Sequence, residues 1–271
     1  MSFPARVDAQ VLAGGRFGHL PPGEVEPAGK GLVRIGEAPM AARPLQALKA
    51  SVRVDRVVLV SPVPAGELDP AWFGAADAVV QAGASILESF ANGLRQARDP
   101  EQPVLSVTGD LAFLTPEAVT DFVDRCRRRP EVDVWYGFLR REHSERAYPG
   151  LHHTWARLAE GTFCGTGLFL IRPCVLERVQ TALVAVTRQR KNPLALARIL
   201  GLGPVLAFLF GRLTIRRAEQ AGKRVLGGVA CAGIETPFAE SAFNVDDLPT
   251  LLEARRLASL QRKPIGGMIS S

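Results

Sequence analysis

The sequence predicts an α/β fold with a mainly parallel central sheet, and three observations carry that prediction. Short apolar, β-rich runs alternate with segments of helical spacing. Runs such as "RVVLVS" (residues 56–61) are apolar on both faces, as strands inside a parallel sheet are. Gly14-Gly15 and Gly109-Asp110 end two of these runs, and the carboxyl edge of such a sheet is where ligands bind.

The elements follow in order. "VDAQVL" (residues 7–12) reads as the first strand and runs into Ala13-Gly14-Gly15. Residues 39–50 carry Met40, Leu45 and Leu48 at helical spacing, ahead of the second strand at 56–61. "DAVVQA" (77–82) is a short third strand. The helix expected over 85–97 gathers Ile86, Leu87, Phe90 and Leu94 on one face. "PVLSVTGD" (103–110) is the fourth strand. Thr115 then suits an N-cap and Pro116 the first helical position of a helix that ends among Arg125–Arg129, before Pro130. "VDVWYGFL" (132–139) and "TGLFLIRP" (166–173) are strands five and six. Two regions break the alternation: a polar excursion over 140–163, and a helical segment over about 175–221 that reads as an insertion.

Composition narrows the class. The 271 residues are 47% hydrophobic and 22% charged, which allows a sizeable core. The net charge of +6 suits anionic ligands or surfaces without choosing among them. No basic stretch with interleaved aromatics appears, so nucleic acid is not an expected partner. Cys126, Cys164, Cys174 and Cys231 include no C-x-x-C spacing, and the four histidines do not complete a zinc site; reduced cysteines are expected. "MSFPARVDAQ" has no apolar signal-peptide core, and no run reaches the roughly 18 apolar residues of a membrane span, so a cytoplasmic location is expected.

Three constellations carry chemistry. In "VLAGGRFGHLPPGEVEPAGKGLVRIGEAPM" (11–40), glycines at a strand end let backbone N–H groups approach phosphate oxygens, and Lys30 adds a point charge. G-x-x-x-x-G-K-[ST] is absent, so this is not a P-loop. Asp110 beside such a site is a natural Mg²⁺ ligand, since Mg²⁺ is held by one or two carboxylates plus substrate phosphates; it equally suits a turn. In "FNVDDLPTLLEA" (243–254), Asp246 and Asp247 precede a helix, and either suits an N-cap.

The order of these motifs, "LAGG", then K-x-L-x-x-I-G-x-x-P-M, then "GDLAFLTPE", then N-V-D, resembles the nucleotidyltransferases of Rossmann-like, glycosyltransferase-A-type fold. The nearest branch is the molybdenum-cofactor guanylyltransferase-like proteins, with sugar-phosphate and methylerythritol-phosphate cytidylyltransferases as relatives. The likeness covers residues 7–122 well, and 162–172 and 243–252 in part. The segment "RQRKNPLALARIL" (188–200) is similar to a bacterial group carrying "RKRPLALARL"-type segments.

The resemblance implies a three-layer α/β/α domain over residues 1–271 with the helical insertion. It implies that Leu12, Ala13, Gly14, Gly15 and Arg16 wrap a nucleoside triphosphate, with Lys30 on its phosphates. Gly83, Ser89 and Gly109 join that nucleotide site. Asp110 and Asp246 become the Mg²⁺ ligands, and Lys30 and Asp110 the catalytic pair. The small residues Thr162, Gly165, Thr166 and Gly167 read as room for a small phosphorylated acceptor, or as a tight turn. Two positions depart from the pattern: His19 stands where the family has an arginine, and Gly29 where it has a proline.

The expected reaction moves a nucleoside monophosphate onto the acceptor with release of pyrophosphate. A phosphate acceptor is already an anion and needs no general base, so the chemistry is positioning and charge neutralisation. Two alternatives stand beside it. A glycosyltransferase of the same fold would carry D-x-D where this chain has Gly109-Asp110-Leu111. A weakly catalytic, membrane-peripheral module is the other. Arg188, Arg190, Lys191, Arg198, Arg212, Arg216 and Arg217 flank "ILGLGPVLAFLFGRL", so residues 198–217 read as an interfacial segment, a buried helix pair with a solvated rim, or a basic lid. His152-His153 reads as a surface pair or an acceptor contact.

Overall fold

The computed structural model of the chain describes residues 3–17, 20–25, 27–189 and 201–261. An eight-stranded sheet organises them. Its strands are β1 (Val7–Leu12), β4 (Val54–Ser61), β5 (Ala78–Gln81), β6 (Val104–Thr108), β7 (Val134–Arg140), β8 (Ala156–Leu158), β9 (Gly161–Ile171) and β10 (Cys231–Thr236). Two short strands, β2 (Arg34–Ile35) and β3 (Ala38–Pro39), form a separate hairpin. The main order is β10-β7-β9-β6-β1-β4-β5, with β8 on β9. β1, β4, β5 and β6 are parallel to one another, as are β7 and β10; β9 alone runs against the rest.

Helices cover both faces. On one, α1 (Ala42–Ala50) and α4 (Pro116–Cys126) bury Leu45, Leu48, Val119 and Phe122 against Val7, Val11, Leu59 and Leu105. On the other, α3 (Ile86–Leu94) and α6 (Leu176–Gln189) set Ala91, Leu94, Leu176 and Val179 against Val104, Val134 and Ile171. Val7, Ala9 and Val11 thus turn one face of β1 into the core, while Asp8 and Gln10 alternate with them on the other. Its one buried polar side chain, Gln10, donates to the Ser106 hydroxyl at 2.7 Å and to the Phe90 carbonyl at 3.3 Å. The remaining helices among the described residues are α2 (Pro70–Phe73), α5 (Arg141–Ala147), α7 (Leu202–Leu209), α8 (Ile215–Val225) and α9 (Leu248–Gln261).

Several expectations shift. The helix expected from residue 39 begins at Ala42, because Ala38-Pro39 pairs with Arg34-Ile35. The strand expected from Thr166 begins at Gly161, because the polar excursion folds back as α5 and then as the β8–β9 hairpin. β10 was not legible in the sequence. Cys231, Gly233 and Glu235 are only half-buried, so no continuous apolar signal marks it. Of the expected insertion, α6, α7 and α8 are described, whereas Arg190, Lys191 and Arg198 lie outside the described residues. The buried-pair reading of its apolar stretch fails: Leu206, Phe208, Leu209 and Phe210 are exposed. No described helix is long and apolar enough to cross a membrane.

One close approach tests this packing. A Cβ on Gly93 of α3 would lie 1.6 Å from the Gln10 amide oxygen and 2.7 Å from a Val60 methyl. Helix propensity alone makes Gly→Ala stabilising by roughly 1 kcal/mol. Gly93→Ala is nonetheless expected to destabilise the protein by about 2 kcal/mol, read from the urea midpoint, because α3 must lift off the sheet.

Candidate nucleotide site

Strand order creates the site. From β1 the chain steps outward to β4 and β5, then returns to the other side of β1 as β6. The carboxyl ends of β1 and β6 therefore diverge into a crevice, the switch point where ligands of such sheets bind. A cavity of about 320 Å³ opens there. That volume falls within the usual range for small-molecule sites.

The wall at the end of β1 is the glycine turn. Gly15 has φ 87°, in the left-handed region that only glycine adopts freely. The N–H groups of Gly14, Gly15 and Arg16 have no acceptor among the described residues. Such donors on the rim of a cavity suit an anion. Lys30 comes back to this turn through backbone contacts: its N–H donates to the Gly15 carbonyl at 3.0 Å, and the Gly31 N–H to the Ala13 carbonyl at 3.2 Å. Gly31 must be glycine, since a Cβ there would meet the Ala13 carbonyl oxygen at 2.8 Å.

The floor is the end of β6. The Gly109 N–H donates to the Leu12 carbonyl at 2.9 Å, and a Cβ on Gly109 would sit 2.7 Å from that same oxygen. This contact delivers Asp110 to the cavity. Its backbone carbonyl accepts the Val245 N–H at 3.2 Å, and Leu111 bridges Asn244 in antiparallel fashion. Asp246 is thereby fixed facing Asp110, though the two lie far apart in sequence.

Three charges meet as a result. The Lys30 ammonium donates to Asp110 Oδ2 at 2.5 Å and also to Asp246 Oδ1. The Lys30 side chain is 12% exposed and that of Asp246 69%. Burial by itself would lower the Lys30 amine, but the Asp110 and then the Asp246 carboxylates outweigh it and hold the amine above its ordinary value. A raised lysine contributes its stability below the ordinary value of 10.5 and loses it only as pH climbs through the folded value, so Lys30 keeps its charge at neutral pH.

Asp246 and Asp247 divide the roles that either could have filled. The Asp247 carboxylate accepts the Thr250 N–H at 2.9 Å and its hydroxyl at 2.7 Å, capping α9, and these bonds hold its pKa below the ordinary value. Asp246 makes no such bond and turns to Lys30.

The third wall is the start of α3. Ser85 caps it by accepting the Glu88 N–H at 3.1 Å, and Glu88 reaches back to the Ala84 N–H at 2.8 Å. This capping arrangement was legible as Ser followed three residues later by Glu. Gly83 donates to the Ser89 hydroxyl at 3.0 Å, and a Cβ at 83 would collide with Glu88. Ala84, Ser85 and Thr108 line the cavity without having been singled out from the sequence, and Ile86, expected on the packed face of the helix, lines it too. Ile86 is exposed there, an apolar surface of the kind a flat ring can cover.

Of the expected nucleotide residues, Leu12, Gly14, Gly15, Arg16, Lys30, Gly83, Ser89 and Gly109 all border the cavity. Asp110 and Asp246 do so too. Ala13 is buried behind it and serves through its carbonyl. The acceptor set is not brought there. Thr162 pairs with Arg157 in the β8–β9 hairpin, and Gly165 lies opposite Phe138 under the Tyr136 ring. The buried Thr166 hydroxyl accepts the Leu168 N–H at 3.3 Å. Only Gly167 adjoins the site, by leaving space for the Thr108 hydroxyl. His153 bonds Ser144 at 2.9 Å, and burial lowers its pKa. His19 lies outside the described residues.

Comparison with known proteins bears on the family and the fold. The family model for the MobA-like NTP transferase domain matches residues 9–200. A solved structure titled a hypothetical transferase from Thermus thermophilus is 32% identical with a TM-score of 0.77, covering 91% of this chain and 99% of that one. Two others share the fold at lower identity. CMP:2-keto-3-deoxy-manno-octonic acid synthetase complexed with CTP is 14% identical, with a TM-score of 0.57 and coverage of 94% and 99%. The 2-C-methyl-D-erythritol 4-phosphate cytidylyltransferase of Thermus thermophilus is 15% identical, with a TM-score of 0.52 and coverage of 94% and 99%. No curated protein sequence matches. The chain belongs to the MobA-like NTP transferase family and is a nucleotidyltransferase.

Proposed function

We propose that the enzyme uses Mg²⁺ to transfer a nucleoside monophosphate from a nucleoside triphosphate to a small phosphorylated acceptor, releasing pyrophosphate. The observation that carries this reading is the convergence of Asp110 and Asp246 on one cation beside the Gly14-Gly15 turn. Two carboxylates from separate parts of the chain hold a positive charge where a triphosphate would lie.

The residues fit a magnesium ion. Asp110 Oδ1 is buried without a hydrogen-bond partner among the described residues, which leaves an oxygen to offer. No cluster of three or more His, Cys, Asp or Glu side chains exists among the described residues, so Asp110 and Asp246 would hold the ion with water and phosphate oxygens completing its shell. When bound, Mg²⁺ supplies charge neutralisation across the phosphates.

The chain's own groups do the rest. The free N–H groups of the glycine turn cradle the phosphates. Lys30, released from the carboxylates as the triphosphate enters, and Arg16 at the rim offset the charge that grows on departing pyrophosphate. An acceptor phosphate oxygen attacks the α-phosphorus, the bond to the β-phosphate oxygen breaks, and no proton need move. Ile86 and the capped start of α3 take the base. Formation of pyrophosphate separates this reading from glycosyl transfer, which would release a nucleoside diphosphate instead.

A screen of the common nucleoside triphosphates with Mg²⁺ against sugar phosphates, polyol phosphates and molybdopterin-type acceptors should release pyrophosphate for one pairing. Calorimetry that finds no triphosphate bound in the presence of Mg²⁺ would refute the proposal. In the active pairing, Asp110→Ala should lower kcat/KM by about a thousandfold or more, and Asp246→Asn by about a hundredfold. Their neighbour behaves oppositely: Asp247→Ala should cost about 1 kcal/mol of stability through the lost cap while leaving kcat within a few-fold. Equal activity losses at 246 and 247 would contradict the division of roles.

A further inference from the structure

The apolar helix α7 sits on the surface with nothing described covering it. Phe210 is 75% exposed and Leu209 71%, and Leu206 and Phe208 are exposed beside them. Four large apolar side chains within five residues form a contiguous patch of a kind that monomeric surfaces avoid unless it is used. The helix is bounded by two glycines of positive φ, Gly201 at 89° and Gly211 at 63°, and its exposed apolar side chains form a crest between them.

Guanidinium groups border this unit. Arg224 of α8 stands against Gly201 at one end, 3.6 Å from where a Cβ there would lie. Arg157 stands against Gly211 at the other, at 3.1 Å. Arg212, Arg216 and Arg217 follow directly and are exposed. None of these five pairs with a carboxylate among the described residues. Two acids close to them in sequence have other partners: Glu160 accepts the Ile215 N–H at 3.1 Å, and Glu219 accepts the Gly233 N–H at 2.9 Å and pairs with Arg129.

We infer that α7 and its flanking arginines dock the enzyme on an anionic lipid surface. The partner is chosen by two features together. Phenylalanine and leucine rings and chains at the crest suit the acyl boundary, and unpaired arginines around its base suit lipid phosphates, the pattern of an interfacial helix. A purely electrostatic partner would leave the crest in water, and a purely apolar one would leave five cations unanswered. The patch belongs to elements outside the nucleotide cavity, so this inference stands or falls separately from the reaction.

The test is co-sedimentation of the full chain with phosphatidylcholine vesicles, with and without phosphatidylserine, at low and high salt. Binding should require phosphatidylserine and weaken steeply with salt. Phe208→Ser/Leu209→Ser/Phe210→Ser should bind at least about tenfold more weakly, and so should Arg212→Glu/Arg216→Glu/Arg217→Glu, which keeps the crest intact. Both variants should keep the wild-type far-UV circular dichroism spectrum and urea midpoint, which shows that they are folded. Failure of the wild-type chain to sediment with phosphatidylserine vesicles would overturn the inference. Binding unchanged in either variant would do the same, as would a wild-type dimer in solution that the serine variant dissociates.

Discussion

One charge cluster organises the functional end of this protein: the Lys30 ammonium held between Asp110 and Asp246. Placing three ionisable groups together in a half-enclosed crevice is costly unless each is paired and hydrogen-bonded. Here the lysine answers both carboxylates, and the net charge left over is a single negative. Such a site stays formed without a ligand, and its residual negative charge underlies the proposal that it takes a divalent cation. It also keeps Lys30 beside the position where a triphosphate would need it.

That cluster depends on backbone approach more than on side-chain choice. Gly109 lets β6 end against the Leu12 carbonyl, and Gly31 lets the Lys30 turn press on Ala13. A methyl group at either place would push one charge out of reach of the others. The second carboxylate arrives by a different route. The core beneath α9, in which Phe243, Val245, Leu251 and Ala254 pack with Phe17, Val33, Ile35 and Met40, pins the segment that carries Asp246 over the end of β6. Burial of apolar surface distant from the chemistry therefore sets the spacing of the charged groups.

The surface around α7 shows the reverse balance, with apolar groups outside and unpaired cations beside them. A chain of this composition has ample core in which to bury four large side chains, and the helix does not use it. Exposed phenylalanines gain nothing in water, and this is the observation from which the lipid-docking inference is drawn.

Much of this was legible in the sequence, and the limits fall where physics puts them. The apolar run at 56–61 marked β4 as a buried strand, short β-rich runs marked β1 and β6, Thr115-Pro116 marked the start of α4, and Gly14-Gly15 and Asp110 marked the carboxyl edge, because periodicity, capping and turn chemistry are local properties. Lys30 was legible as a charge for phosphates, and resemblance added Gly83, Ser89 and Asp246 to the same cavity. The tertiary structure alone decided the rest. It set β9 antiparallel, drew β10 from a half-buried segment, gave the cap to Asp247 and the site to Asp246, and left Thr162, Gly165 and Thr166 away from the crevice. Each of these turns on a pairing across the chain, such as Leu111 with Asn244, which no local pattern specifies and only closure of the whole sheet brings about.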